Sequence, residues 1–388
     1  MPEPVIVDVL RTPIGRAFKG SLAQLRPDEM GAFIVDGLLE RNPGVDPATV
    51  EEVIAGCGFP QGKQAFNIGR IIPLLSDRLP QEVGGQTISR YCASGLDAIR
   101  SAANSIVAGQ GDVYIAAGVE WVSQFNERNE VAGGADQNEK LQGREPGQPN
   151  VHIQMGDTAV NVAKRYEVSR SDMDSFAQRS QELAVRSQED GFFDREILPV
   201  TLPDGSEVAK DDGPRAGSSL EKLAALPEAF EGGGGITAGN SCPLNDGAAA
   251  ALLMSADRAR ELGLEPRARI VTAATAATAP EYMGVAPIGA IGKALERAGM
   301  TIGDVDTVEL NEAFAAQVIP IMAECDIPIE KLNPHGGAIA LGHPFGMTGV
   351  RIMTTLLNGL ESEDKQIGLE TMCVAGGQGE AIIVERLK

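Results

Sequence analysis

The features that mark membrane, secreted and nucleic-acid-binding proteins are missing from this chain of 388 residues. It has no run of eighteen apolar residues, and its start, Met1-Pro-Glu-Pro-Val, lacks the charged and apolar regions of a signal peptide. The formal net charge of -21 repels polyanions over long range. We therefore expect a cytoplasmic protein with no nucleic-acid or membrane partner, in which an anionic small ligand needs a local basic patch.

Cysteine and histidine are both scarce. The five cysteines are an odd number without CxxC spacing, which argues against a disulfide framework and a zinc site. We expect reduced thiols and no metal. Histidine occurs only at His152, His335 and His343, so few side chains can act as a base that titrates near neutral pH.

Common nucleotide-binding and hydrolase motifs are also absent. Four glycines at 232–235 have no following Gly-Lys-Ser/Thr, and no GxGxxG follows a predicted strand at the spacing of a dinucleotide site. No GxSxG occurs. The sequence predicts neither a P-loop, nor a dinucleotide cofactor, nor a serine nucleophile on a tight turn.

Two halves of the chain resemble each other at an offset of about 254 residues. The matching segments are 49–56 with 304–310, 94–96 with 348–350, and 113–116 with 367–370. In each half they read as a strand, a helix start and a strand, in the same order. This pattern predicts duplicated α/β domains.

A polar stretch of different character lies between the halves and is expected to be an insertion. Helical periodicity runs through 157–189, whereas 143–148 and 204–217 are typical of loops. We expect this insertion to cover another part of the protein.

Cys92 stands between a predicted strand, 86–91, and a predicted helix that begins at Ser94. The free amides and the positive dipole end of a helix lower a thiol pKa and favour the nucleophilic thiolate. A buried structural cysteine is an equally reasonable interpretation of this segment alone.

Three further residues follow predicted strands or lie in glycine-rich bends. His343 lies in Leu341-Gly-His-Pro-Phe-Gly, where the flanking glycines permit close approach by a substrate. Cys373 ends a predicted buried strand and could move a proton or fill the core. Asn311 follows another strand and could donate to an oxyanion or serve as an ordinary turn residue.

Seven ordered motifs carry a resemblance that covers essentially the whole chain. They are Arg11-Thr-Pro-Ile-Gly15, Cys92-Ala-Ser-Gly95, Met155-Gly-Asp-Thr-Ala159, Thr237-Ala-Gly-Asn240 with Asn245-Asp-Gly-Ala248, Asn311-Glu-Ala-Phe314, Gly336-Gly-Ala-Ile-Ala-Leu-Gly-His-Pro344 and Cys373-Val-Ala-Gly-Gly-Gln-Gly379. Together these motifs resemble the thiolase family.

The resemblance implies an α/β thiolase fold, in which two duplicated five-stranded α/β domains pack in α-β-α-β-α layers with an inserted loop domain. The implied N-terminal domain is 1–265, with the insertion at about 119–240, and the C-terminal domain is 266–388. Thiolases transfer an acyl group between coenzyme A (CoA) and acyl-CoA. We therefore expect a 3-ketoacyl-CoA thiolase or acetyl-CoA acetyltransferase, with CoA as co-substrate and no covalently bound cofactor.

The resemblance also implies roles for individual residues. Cys92 is similar to the acylated nucleophile, His343 to its base, and Cys373 to the residue that exchanges a proton with the substrate α-carbon. One oxyanion site would use His343 with a water held by Asn311, and the other the backbone amides of Cys92 and Ala375. The implied CoA contacts are Arg215, Lys222, Ala238 and Cys242, and the implied acyl pocket is Met155, Met283 and Phe314.

Several positions depart from the family pattern. Ala375 replaces a glycine, so the backbone there must tolerate a Cβ. Gln154 stands where acetoacetyl-specific relatives commonly have histidine, which weakens that assignment. Cys242 and Lys222 each replace a serine, and Lys222 could join Arg215 in the basic patch that this acidic chain needs.

Two alternative functions remain within reach of the sequence. A noncatalytic acyl-CoA or lipid-binding relative would usually have lost a catalytic residue, and a decarboxylating ketoacyl synthase would lack the second thiol, Cys373. We also expect a homodimer or homotetramer, since thiolases assemble in this way, with further contacts in the loops of 119–140.

Overall fold

The computed structural model describes residues 1–125 and 138–387. In these residues the strands are β1 (Pro4–Arg11), β2 (Gly15–Arg16), β3 (Glu52–Gly56), β4 (Gly84–Ile88), β5 (Val113–Trp121), β6 (Val200–Thr201), β7 (Glu207–Val208), β8 (Asn245–Ser255), β9 (Ala268–Ala277), β10 (Thr307–Leu310), β11 (Ile367–Val374) and β12 (Gln378–Arg386). The helices are α1 (Pro27–Arg41), α2 (Ile68–Leu75), α3 (Ser94–Val107), α4 (Met155–Arg165), α5 (Arg170–Glu189), α6 (Leu220–Ala224), α7 (Ala256–Glu261), α8 (Ala286–Ala298), α9 (Ala315–Glu324), α10 (Ala338–Leu341) and α11 (Phe345–Ser362).

Two half-sheets with the same strand order form one continuous sheet. The first half runs β1-β8-β5-β3-β4, and the second runs β9-β12-β11-β10. In the first half β3 pairs in parallel with both β5 and β4, and in the second half β10 pairs in parallel with β11. The other strand pairings within each half are antiparallel. The fifth strand of the second half is reduced to a single parallel bridge between Val308 and Leu332. Antiparallel pairing of β1 with β9 joins the halves.

The segments that matched in sequence occupy equivalent places in the two halves. β3 corresponds to β10, β5 to β11, and α3 to α11. Helices α3 and α11 share one apolar core with the inner faces of both half-sheets. Helices α1 and α2 cover the outer face of the first half, and α8 and α9 cover that of the second. The predicted duplicated, layered α/β architecture is confirmed.

Glycines allow α3 and α11 to meet backbone to backbone near their N-terminal ends. A Cβ on Gly95 would lie 2.6 Å from the carbonyl oxygen of Gly346, and one on Gly349 would lie 2.1 Å from the backbone nitrogen of Leu96. Neither contact leaves room for a methyl group. The repeated Ser/Thr-Gly pair noted in the sequence therefore forms the contact between the two halves.

The segment between β5 and β8 packs α4 and α5 against the core of the second half. The single helical stretch predicted over 157–189 is wrong in one respect, because it forms two helices. Glu167 has a φ of +52° between them, and Ser169 caps α5 by accepting from the Asp172 N–H. Residues 126–137 of the predicted contact loops lie outside the described residues, and 119–121 belong to β5. The domain boundaries stay a prediction.

Candidate active site

Cys92 lies in a 3₁₀ turn, Tyr91–Ala93, that leads directly into α3. Tyr91 has a left-handed φ of +45°. The Ser94 hydroxyl fixes the turn, because it accepts from the Arg90 N–H at 2.9 Å and donates to the Tyr91 carbonyl at 2.6 Å. A local hydrogen-bonded bend thus holds the thiol at the start of the helix.

Burial overturns the prediction that this position lowers the thiol pKa. Cys92 is 8% exposed, and burial raises the pKa of its thiol, with smaller contributions from Cys373 and Glu120. The backbone amides of Cys92 and Ala375 act in the opposite direction and are outweighed. Desolvation penalises the thiolate more than the helix start stabilises it, so the thiol is protonated at neutral pH and needs a base.

His343 is held in the bend between α10 and α11. Gly342 ends α10 with a φ of +116°, a conformation that disfavours side chains with a Cβ. The backbone N–H of His343 donates to Asn245 Oδ1 at 2.9 Å. Pro344 occupies the N-cap position of α11. These contacts fix the backbone of the histidine against β8 and the start of α11.

Thr348 sets the tautomer of His343. Its hydroxyl donates to the Pro344 carbonyl at 2.8 Å, so toward His343 Nδ1, 2.7 Å away, its oxygen can only accept. Nδ1 therefore carries the proton, and Nε2 is free to accept one. Burial lowers the pKa of His343 to about 3, with Arg351 adding to the effect. The imidazole is neutral at physiological pH.

Asn311 follows β10 and contacts the other side of the same ring. Its Nδ2 lies 3.3 Å from His343 Nε2, and its backbone N–H donates to the Thr371 carbonyl at 3.0 Å. Within the described ranges its Oδ1 is buried without a hydrogen-bond partner. That oxygen has the chemistry to hold a water beside the imidazole.

Cys373 lies in β11 and is fully buried. Burial raises the pKa of its thiol to about 12, with a contribution from the neighbouring Cys242. The thiol donates to Gln317 Oε1 at 2.8 Å. Cys373 is therefore a proton donor at neutral pH, electrostatically coupled to both Cys92 and Cys242.

Ala375 tolerates its Cβ because the tight turn after β11 is made by its neighbours. Gly376 and Gly377 have φ values of +80° and +82°, and Ala375 is not among the residues with positive φ. Its backbone N–H acts on the Cys92 thiol in the direction that lowers the thiol pKa. The departure from the family glycine therefore leaves this amide in position.

The sequence interpretation missed three polar residues of the site: Thr348, Gln317 and Glu120. Glu120 is fully buried at the end of β5 and accepts from the backbone N–H groups of Gly58 at 2.7 Å and Gly346 at 2.8 Å. Burial raises its pKa to about 7. An acidic residue at the end of an apolar strand was the available signal for Glu120, whereas Thr348 and Gln317 resemble ordinary helix residues.

The residues expected to contact CoA fall into two groups. Arg215 lines a cavity of about 300 Å³ together with Gly217 and Ser218, and Lys222 Nζ donates to the Gly217 carbonyl at 2.8 Å. Ala238 is exposed and Cys242 is half-buried. The Cys242 N–H donates to the Ala313 carbonyl, next to Phe314. Arg215 and Lys222 are thus basic and exposed, whereas Cys242 is close enough to Cys92 and Cys373 to interact with them electrostatically.

The residues expected to line the acyl pocket pack in the core of the second half. Met283 and Phe314 are buried, and Met155 is partly buried against them. The ring of Phe230 meets that of Phe314 edge-on at 6.3 Å. The three side chains belong to the same apolar cluster as Cys373.

The other two histidines lie apart from these groups. His335 stacks on Phe192 with 3.6 Å between ring centroids, and burial lowers its pKa to about 4. His152 is exposed. The described ranges contain no group of three or more His, Cys, Asp or Glu side chains placed to hold a metal ion. No helix in the described part of the chain is long and apolar enough to cross a membrane.

Comparison with known proteins places this site in a family. The model of the thiolase N-terminal domain matches residues 4–257, and that of the thiolase C-terminal domain matches residues 264–386. The β-ketoadipyl-CoA thiolase of Pseudomonas aeruginosa is 43% identical over 99% of each chain.

Solved structures agree over their full length. An acetyl-CoA acetyltransferase of Bacillus anthracis is 38% identical with a TM-score of 0.90, over 100% of this chain and 99% of the other. The dimeric peroxisomal thiolase of Saccharomyces cerevisiae is 36% identical with a TM-score of 0.92, over 99% and 97%. On these matches and the geometry of the two thiols, the chain belongs to the thiolase family of acyltransferases.

Proposed function

We propose that the protein cleaves a 3-ketoacyl-CoA with free CoA through an acyl thioester on Cys92, and that it also runs the reverse condensation of acetyl-CoA. The observation that carries this proposal is a chain of contacts in one buried place. Asn311 lies against the His343 ring and is linked through Gln317 to the Cys373 thiol. Both Cys373 and the Ala375 amide act on Cys92. Each group is in the protonation state that its role requires at the start of the cleavage reaction.

Acylation begins when the Cys92 sulfur attacks the 3-keto carbon. The thiol proton moves to His343 Nε2, which is unprotonated because Nδ1 carries the ring proton, and which gives up its contact with Asn311 Nδ2 to accept it. Negative charge develops on the former carbonyl oxygen. The amides of Cys92 and Ala375 are the proposed donors to one such oxyanion, and each well-placed donor is worth on the order of 3 to 4 kcal/mol.

Carbon-carbon cleavage then releases acetyl-CoA. The C2–C3 bond breaks, its electron pair passes to C2 as an enolate, and the proton of Cys373 moves to C2. Protonated His343 and a water held by Asn311 are the proposed donors to the enolate oxygen. Cys373 is left as a thiolate, and the acyl group stays on Cys92.

Free CoA completes the cycle. Its thiol gives a proton to Cys373, and its sulfur attacks the acyl carbon on Cys92. The Cys92 sulfur leaves and takes back the proton from His343. His343, Cys92 and Cys373 regain their starting protonation states, with the CoA thiol proton replacing the one that Cys373 gave to C2, so the cycle balances without an oxidant or a reductant.

The substrate is proposed to be an apolar 3-ketoacyl-CoA. The proposed acyl-pocket residues Met155, Met283 and Phe314 are all apolar, and the chain carries a net charge of -21. A terminal carboxylate, as in the β-ketoadipyl group named for the Pseudomonas relative, would lose hydration there without a charged partner. Comparing 3-ketohexanoyl-CoA with 3-oxoadipyl-CoA, which has the same chain length, tests this choice.

CoA is proposed to enter over the exposed basic group of Arg215 and Lys222, with Ala238 and Cys242 further along the pantetheine. Arg215 lines its cavity together with Arg186, Glu182 and Glu189, and Lys222 lies beside it through the Gly217 carbonyl. The three cations outnumber the two carboxylates and offer local attraction for phosphate in an acidic chain. Replacing Arg215 or Lys222 with alanine should raise KM for CoA and leave kcat within about threefold, because neither touches the reacting atoms.

A homodimer is proposed from the exposed edge of the sheet. Strand β4 is the last strand of its half-sheet, and nearby Phe66 is 93% exposed. An unpaired edge beside exposed aromatic rings is a surface that a second copy can cover. Light scattering on the protein and on Phe66→Glu tests this assembly, which should weaken in the variant.

The central test is the acyl-enzyme itself. Cys92→Ala should lose turnover and should show no acyl adduct in intact-protein mass spectra after mixing with 3-ketoacyl-CoA. Cys325→Ser is the matched control, since that half-buried thiol follows α9 and should leave both signals in place. Survival of turnover and adduct in Cys92→Ala would overturn the proposed function.

A further inference from the structure

A buried amide that the proposed reaction does not use lies against the acid. Gln317, in the first turn of α9, is 1% exposed. Its Oε1 accepts from the Cys373 thiol at 2.8 Å, and its Nε2 donates to the backbone carbonyl of Asn311 at 3.3 Å. One side chain therefore links two of the proposed catalytic residues.

The Asn311 carbonyl determines which end of the amide faces the sulfur. A carbonyl oxygen can only accept, so Nε2 must point to it and Oε1 must point to Cys373. An N–H turned toward the sulfur would favour a thiolate, but Nε2 is held elsewhere. The contact observed needs a thiol that donates, and it fixes the direction of the S–H bond.

The packing around Gln317 prevents it from adjusting freely. A Cβ on Gly284 would lie 2.9 Å from Gln317 Cβ, so the chain beside Met283 presses directly on the glutamine stem. Close-packed surroundings keep such a side chain in one rotamer. The acceptor for the Cys373 proton is thus rigid.

We propose that Gln317 is the positioning residue for the Cys373 proton that serves the substrate α-carbon. It matters much less for acyl transfer to Cys92, because the proton that Cys373 takes from CoA comes from an acidic thiol and not from a carbon. This inference rests on the proposed function, which assigns Cys373 to the α-carbon. Gln317 acts through Cys373 and does not touch the substrate. The two half-reactions should therefore respond differently to its loss.

Two partial reactions of acetyl-CoA separate these roles. Exchange of labelled CoA into acetyl-CoA measures acyl transfer through Cys92, and entry of deuterium from heavy water into the acetyl methyl group measures proton exchange at the α-carbon. Gln317→Met, near in size but without an amide, should lower deuterium entry roughly tenfold or more. CoA exchange should stay within about threefold.

Gln317→Glu adds a pH-dependent rescue. A protonated carboxyl can donate to the Asn311 carbonyl and accept from Cys373, as the amide does, whereas the carboxylate cannot donate. Burial raises the pKa of a carboxyl group, so the protonated form should prevail at the lower pH. Deuterium entry in Gln317→Glu should therefore approach the wild-type rate at about pH 6 and fall by roughly tenfold relative to wild type at about pH 9.

Asn358→Leu is the control for simple loss of a buried amide. Asn358 lies in α11 and bonds to the Phe192 carbonyl and to Glu196, far along the helix from the thiols. It should change neither partial reaction selectively. Equal losses of both reactions in Gln317→Met, or no loss of either, would overturn the proposal. Absence of CoA exchange in the wild-type protein would instead contradict the proposed function.

Discussion

The Nδ1 atom of His343 lies 2.7 Å from the Oγ1 atom of Thr348, and the hydroxyl proton of Thr348 is committed to the Pro344 carbonyl. The threonine therefore acts on the imidazole as an acceptor alone. Through this contact the first turn of α11 decides that Nε2, the nitrogen facing Asn311, is the one able to take a proton from Cys92.

Thr348→Val should impair catalysis with little effect on substrate binding. The buried Nδ1–H loses its acceptor, and the tautomer that protonates Nε2 becomes competitive, which blocks the base. We expect kcat for 3-ketoacyl-CoA cleavage to fall roughly tenfold to a hundredfold with a small change in KM. Thr348→Ser keeps the hydroxyl and should retain most of kcat. Equal activity of the Val and Ser variants would contradict this role.

Ala375 should matter through its amide and not through its methyl group. Ala375→Pro removes the N–H aimed at Cys92 and should lower kcat by about a hundredfold or more, the usual effect of one lost oxyanion donor. Ala375→Gly keeps the N–H and should stay within about threefold of wild type. Thermal melts of both variants separate loss of the donor from loss of the fold. A large loss in Ala375→Gly would show that the methyl group is needed.

Adding one methyl group should have opposite effects at two helical glycines. Gly349→Ala puts a Cβ 2.1 Å from the Leu96 backbone and should lower the free energy of unfolding or prevent soluble expression. In Gly292→Ala, within α8, the new methyl group meets nothing within 4 Å. That change should raise the free energy of unfolding by about 0.5 to 1 kcal/mol. Urea midpoints measure both, and a stable Gly349→Ala protein would contradict the contact described for α3 and α11.

Stability should fall as pH rises from mildly acidic to mildly basic values. Glu309 pairs in register with Glu370, and burial raises the pKa of Glu309 from 4.5 to about 8. Between these values the unfolded chain is ionised at Glu309 while the folded chain holds the proton, so stability is lost with rising pH by up to about 1.4 kcal/mol per pH unit for one group.

Glu309→Gln removes one titrating group and should make this decline shallower. The measurement is the free energy of unfolding in urea at intervals between pH 5.5 and 8.5, for both proteins. An identical slope in the two would show that Glu309 is not a source of the dependence. A free energy of unfolding that rises with pH over this range would contradict the raised pKa itself.

The duplicated architecture could be predicted because local sequence patterns indicate its strands and helices. The strand-like segments 113–116 and 367–370 marked β5 and β11, and the matching segments 94–96 and 348–350 marked α3 and α11. The break between α4 and α5 was missed, because the apolar periodicity of the two helices is nearly continuous. The break spans only 166–169, where Glu167 has a positive φ.

Long-range contacts could not be predicted in the same way. Arg11 donates to Glu196 at 2.8 Å and to Asp211 at 2.8 Å, and all three side chains are buried although they lie far apart in sequence. The state of Cys92 also depends on distant residues, since burial by other segments outweighs the helix start. Sequence spacing shows which elements a residue joins, but it does not show how completely the fold excludes water from its side chain.

The contact between α3 and α11 has a consequence for how the two halves came to differ. A pseudo-twofold relation at the same offset puts Ser89 opposite His343 and Gly346 opposite Cys92. Gly346 has no side chain, so the position in the second half that is equivalent to Cys92 carries no nucleophile. Its atoms serve the framework instead, because the Gly346 amide binds Glu120 and its carbonyl oxygen packs on Gly95. The duplicated framework therefore carries a reactive thiol at only one of these two equivalent positions.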